Sequence, residues 1–127
     1  MSAKLLVVDD SDEVRKELRD LLGPEGYQIV EARDGQEALD ICKSKTDFDL
    51  ILTDQNMPSM TGLDMLRNLR NQPPFKSTLV VFHTTEPKKL LQTQGQGLGI
   101  YGWVVKPVNP ENLKVLIRHV LSAKKAS

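Results

Sequence analysis

Lys4-Leu5-Leu6-Val7-Val8-Asp9-Asp10 is an uninterrupted apolar run that stops abruptly on two carboxylates. A run with no polar face reads as a strand buried on both sides, the kind a parallel sheet carries beneath helices on either face. The period then changes. Val14, Leu18, Leu21 and Leu22 fall on one stripe of a helix, which Gly23-Pro24 ends. The same alternation continues along the chain. Tyr27 to Ala32 reads as a second strand, and Asp34 with Glu37 marks the start of a helix through Ala38, Ile41 and Cys42. Leu50-Ile51-Leu52-Thr53 is a third strand, followed by a helix on Leu63, Leu66 and Leu69. Leu79 to Phe82 is a fourth strand, with Pro87 suited to the first turn of the helix after it. Tyr101 to Val105 is a fifth, and Asn109-Pro110 opens a last helix carrying Leu113, Leu116, Ile117, Val120 and Leu121.

Strands that alternate with helices predict an α/β fold: a doubly wound, five-stranded parallel sheet with helices on both faces. At 127 residues the expectation is a single domain spanning 1–127. Lysine plus arginine and aspartate plus glutamate both number 17, so the net charge is zero and no broad nucleic-acid surface is expected. No stretch is long and apolar enough for a membrane span, and no secretory signal opens the chain, so a cytoplasmic protein is expected. The single cysteine, Cys42, has no partner for a disulfide and reads as a small core residue.

In doubly wound sheets, ligands sit beyond the C-terminal ends of the strands. The first strand ends in Asp9-Asp10, the third in Asp54, the fourth in Thr84-Thr85 and the fifth in Lys106-Pro107. Any one acid could be a loop charge, and Asp9 and Asp10 could simply favour a helix dipole. Three acids on one rim repel unless something positive lies among them. A hard divalent cation such as magnesium suits carboxylate and carbonyl oxygens, and Lys106 supplies a further charge. Acids, metal and lysine together point to phosphate chemistry. Thr84 or Thr85 could instead cap the following helix, with Thr85 better placed. Alternation turns His83 away from Thr84, so it reads as a packed structural histidine.

The stretches Leu6-Val7-Val8-Asp9-Asp10-Ser11, Asp54-Gln55-Asn56-Met57-Pro58, Thr84-Thr85-Glu86 and Gly102-Trp103-Val104-Val105-Lys106-Pro107 resemble the receiver domains of two-component response regulators. The resemblance covers essentially the whole chain. It implies a flavodoxin-like strand order of 2-1-3-4-5 and a signalling protein rather than a turnover enzyme on external substrates. Asp54 would accept a phosphoryl group from a sensor histidine kinase or phosphotransfer protein. Asp10 and Asp54 would ligate Mg2+, Asp9 would act mainly through a bound water, and the Asn56 carbonyl would complete the set. Lys106 and Thr84 would contact the phosphoryl oxygens, the Lys106–Pro107 bond would be cis, and Trp103 would be the switch aromatic. Phosphorylation would then reshape a surface for a downstream output protein or domain.

One segment departs from the pattern. Gly95, Gly97 and Gly99 fall where the family carries an alanine-rich fourth helix, and each interior glycine costs about 1 kcal/mol against alanine. A shortened or loosened helix is expected there. The alternative function is a small magnesium-dependent aspartyl-phosphate phosphatase of haloacid dehalogenase type. It needs a second acid two residues after the nucleophile, where this chain has Asn56. A flavin or mononucleotide carrier would want a Ser/Thr/Gly-rich loop after the first strand, where Asp9-Asp10 would repel a phosphate.

Overall fold

The structure, a computed structural model, describes the backbone of residues 2–126 and the side chains of residues 2–123. Its strands are β1 (Lys4–Val8), β2 (Gln28–Ala32), β3 (Leu50–Thr53), β4 (Leu79–Thr84) and β5 (Gly102–Val105). The helices are α1 (Asp12–Leu22), α2 (Gly35–Cys42), α3 (Gly62–Arg70), α4 (Lys88–Gln94) and α5 (Pro110–Ala126). All strand pairs are parallel, in the order β2-β1-β3-β4-β5. This is the doubly wound sheet the alternation predicts.

The two-residue period of a strand sorts the core into two layers. Leu6, Val8, Ile51, Val80 and Phe82 pack beneath α2, α3 and α4, with Leu63, Leu66, Leu69 and Leu91 against them. Leu5, Val7, Leu50, Leu52 and Val81 pack on the opposite face with Leu18, Leu22, Leu113, Ile117 and Val120 of α1 and α5. Cys42 is buried in the first layer, and burial pushes its thiol up to about 11, so it behaves as an apolar residue.

Helix starts follow side-chain chemistry. Ser11, Asp34 and Thr61 each accept a backbone N–H three residues on, at the openings of α1, α2 and α3. Glu37 accepts from the Arg33 N–H rather than from that of the cap residue itself. The fourth strand is longer than expected, because His83 and Thr84 still pair with Val104 and Val105 despite their polarity. The helix after it differs too. Pro87 occupies the cap position with no side-chain bond, so neither Thr84 nor Thr85 caps α4.

The glycines do shorten α4, which ends at Gln94 with Gly95 beyond it, and Gly97 and Gly99 take positive φ. Arginines from α3 secure the resulting loop. Arg67 Nη2 donates to the Gln94 carbonyl at 2.9 Å. Arg70 donates from Nε to the Leu98 carbonyl at 2.8 Å and from Nη2 to that of Gly99 at 3.2 Å. Its Nη1 serves the Phe75 and Thr78 carbonyls as well. The last carbonyl of the short helix and those of the loop beyond it are thereby satisfied by charged donors.

His83 lies on the α1–α5 face, 7% exposed, with Nδ1 unpartnered among the described residues. Burial first, and the Lys106 charge second, push its pKa down to about 4 from 6.5, against the opposing pull of Asp9 and Asp54. The native protein therefore keeps His83 neutral while the unfolded chain takes up a proton below about pH 6.5. The resulting stability is complete above that pH and is lost as pH falls toward 4. Urea unfolding should show a decline of at most about 1.4 kcal/mol per pH unit from this group, about 3 kcal/mol across the window. In His83→Leu the decline should be smaller by that amount; an identical pH profile would contradict the assignment.

Candidate functional site

The sheet order places β1 beside β3, so their C-terminal ends deliver Asp9, Asp10 and Asp54 to one rim. Backbone bonds prolong the ladder past the strands: the Asp54 N–H donates to the Val8 carbonyl and the Asp9 N–H to that of Ala32. Ligand oxygens of the three carboxylates lie within 4.8 Å of one another. Asp9 and Asp54 are buried, while Asp10 is exposed.

Lys106 reaches this rim from the end of β5. Its Nζ donates to Asp9 Oδ2 at 2.9 Å and to Asp54 Oδ2 at 3.2 Å. Burial alone would lower the lysine's pKa. The hydrogen bonds and charges of Asp9 and Asp54 outweigh it and hold the ammonium above its ordinary value. The other oxygens are also assigned. Asp9 Oδ1 accepts the Ser11 N–H at 2.9 Å, and Asp54 Oδ1 accepts the Gln55 N–H at 2.7 Å. Asp9 is thus occupied by Lys106 and the start of α1. Asp10 keeps a solvent-facing carboxylate, and the three acids suit a hard cation such as magnesium.

Thr84 is fully buried on β4, between the strands that carry Asp54 and Lys106. Its Oγ1 accepts the Glu86 N–H at 3.3 Å, and its carbonyl accepts the Lys106 N–H at 2.8 Å. Trp103 faces the same side of the sheet, since it pairs with Phe82 two residues before Thr84. Asn56 is exposed in the loop after Asp54, and the Lys106–Pro107 peptide is cis. The structure therefore gathers the three acids on one rim and brings Lys106 into contact with two of them, Asp9 and Asp54. Thr84 stands beside them, and Trp103 lies further along β5.

Several residues support the site although the sequence reading gives them no role in it. Gln55 is buried, accepts the Leu63 N–H on Oε1 and the Gly62 N–H on its carbonyl, and so ties the Asp54 loop to α3. Gly62 is required for that approach: a Cβ there would lie 2.2 Å from the Asp54 carbonyl oxygen and 2.8 Å from Phe82 Cε2. Arg15 Nη1 donates to the Asp9 carbonyl, and its other nitrogens pair with Asp12 and Glu31.

Known proteins match the fold and the rim together. The family described as response regulator receiver domain matches residues 5–118. The chemotaxis protein CheY1 of Helicobacter pylori is 36% identical over 119 residues, covering 93% of this chain and 96% of its own. Among solved structures, the chemotaxis response regulator CheY4 of Vibrio cholerae superposes with a TM-score of 0.87 at 38% identity, covering 94% of this chain and 99% of that one. The signal receiver domain of a signal transduction histidine kinase from Syntrophus aciditrophicus does so with a TM-score of 0.87 at 27% identity, covering 99% and 95%. Nothing in these matches supports the phosphatase alternative. With the pattern matched from the first strand into the last helix, and with such relatives over nearly the whole length, the chain belongs to the response regulator receiver domains.

Proposed function

We propose that this chain is a single cytoplasmic signalling domain that accepts a phosphoryl group on Asp54 from a sensor histidine kinase or phosphotransfer protein. The observation that carries this reading is the Lys106 ammonium held against Asp54 Oδ2 at a rim shared with Asp9 and Asp10. An Asp54 oxygen attacks the phosphorus of a phosphohistidine. The O–P bond forms as the P–N bond breaks, and the imidazole leaves with the electron pair. Lys106 turns from the Asp54 carboxylate toward the phosphoryl oxygens, so its charge follows the developing charge. Thr84 redirects its hydroxyl from the Glu86 N–H to the same group. Asp10, Asp54 and the Asn56 carbonyl would hold Mg2+, with Asp9 acting through water. The ion's part is to neutralise charge on the phosphoryl oxygens.

The consequence at the far end of the rim is a switch. Thr84 and Trp103 share one face of β4 and β5, so a displaced Thr84 hydroxyl opens space toward the indole. Movement of Trp103 alters the surface for a downstream output protein or domain. The described helices include none long and apolar enough to cross a membrane. Zero net charge supports a protein partner over nucleic acid.

Acetyl phosphate with magnesium should add one labile phosphoryl group per chain, without sustained hydrolysis, and Asp54→Asn should abolish it. Equal labelling of the variant by mass spectrometry would contradict the assignment. A second measurement isolates the metal. At about ten times its dissociation constant, magnesium should stabilise the protein by about 1.4 kcal/mol, seen as a raised melting temperature. Asp10→Asn should lose that gain while unfolding no earlier than wild type in chelator. An undiminished magnesium response would count against Asp10 as a ligand.

A further inference from the structure

Trp103 is the only tryptophan in the chain. The residue is partly buried on the α4 side of β5. Beside it lies an open cleft of about 300 Å³ lined by Leu91, Gln92, Gly95, Gly97, Gly99 and Ile100. The glycines contribute no side chains to that wall. Gly95 has no room for one, since a Cβ there would stand 2.6 Å from Ile100 Cδ1. Packing therefore leaves the ring open space on one side, and open space permits another rotamer.

A single charged contact opposes that freedom. Lys88 Nζ stands 5.1 Å from the centroid of the Trp103 ring, within the range of a cation–π interaction. Lys88 is exposed and is the first residue of α4, where a helix dipole disfavours a cation. Among the described residues it forms no salt bridge. The ring face is the partner its position offers.

The geometry points to Lys88 as a positioning residue: its ammonium holds the Trp103 ring in place and so sets how readily the switch turns. This rests on the reading of Trp103 as the switch aromatic. A contact of this kind at an exposed site biases the ring's two positions about two- to fivefold. A ligand selecting the other position gains apparent affinity by the same factor when the contact is removed.

Lys88→Met keeps the length of the stem and removes the charge, whereas Lys88→Arg keeps the charge. Time-resolved anisotropy of Trp103 in the unliganded protein reads the clamp. The beryllofluoride concentration giving half the emission change, at saturating magnesium, reads the switch. Lys88→Met should enlarge the fast component of the anisotropy decay and lower the half-saturating concentration two- to fivefold, and Lys88→Arg should match wild type. In a Trp103→Ala background, calorimetry should find no such gain from Lys88→Met. Unchanged anisotropy in Lys88→Met would overturn the clamp. Altered anisotropy with unchanged half-saturation, or a gain that persists without Trp103, would overturn its link to the switch. Wild type that binds beryllofluoride by calorimetry without any emission change would refute the switch reading itself, and the anisotropy comparison would still decide the clamp.

Discussion

The ammonium of Lys106, shared between Asp9 and Asp54, is the contact on which the rest of the site depends. Buried carboxylates are costly unless paired, and here two of them accept from one lysine at 2.9 and 3.2 Å. The strand order makes this possible. β1 and β3 are neighbours, so their terminal acids meet directly. β5 lies two strands from β3, about 10 Å away, a span that suits a long, unbranched cation. Thr84 occupies the strand between. The geometry leaves Asp9 satisfied by Lys106 and the Ser11 N–H and Asp10 facing solvent, so two adjacent aspartates sit in different environments.

Around that contact the molecule separates a rigid part from a yielding one. The rim stands on strands buried from both faces and on α3, brought against Asp54 by Gln55 and Gly62. The α4 side is thinner. Its helix is seven residues long, the loop beyond it takes two glycines at positive φ, and Arg67 and Arg70 secure that loop from α3. A firmly held rim beside a thinner α4 edge suits the proposed switch, since a moving element is drawn from the less stable part of a fold.

Most of the fold was legible because continuous apolar strands and amphipathic helices differ in period and here alternate without interruption. The acids, Thr84 and Lys106 were legible because each ends a strand. The boundaries that slipped did so for stated reasons. β4 keeps pairing through polar His83 and Thr84, past the apolar run Leu79 to Phe82 that marks the strand in the sequence, and Pro87 took the cap position expected of Thr85. The glycines predicted a short α4 but not the arginines that steady its end. Arg70, Gln55 and the Lys88–Trp103 pair were out of reach because their contacts join residues distant in sequence or depend on a side chain's direction. Periodicity records which face a residue takes, not whom it meets there.

The most direct measurement of the central claim is a crystal structure with magnesium and beryllofluoride. The account predicts beryllium joined to an Asp54 oxygen, the metal on Asp10, Asp54 and the Asn56 carbonyl, and Lys106 turned from Asp54 to a fluoride, with the Thr84 hydroxyl on another. Beryllofluoride bound elsewhere, or Lys106 still bridging Asp9 and Asp54 with the mimic in place, would contradict it.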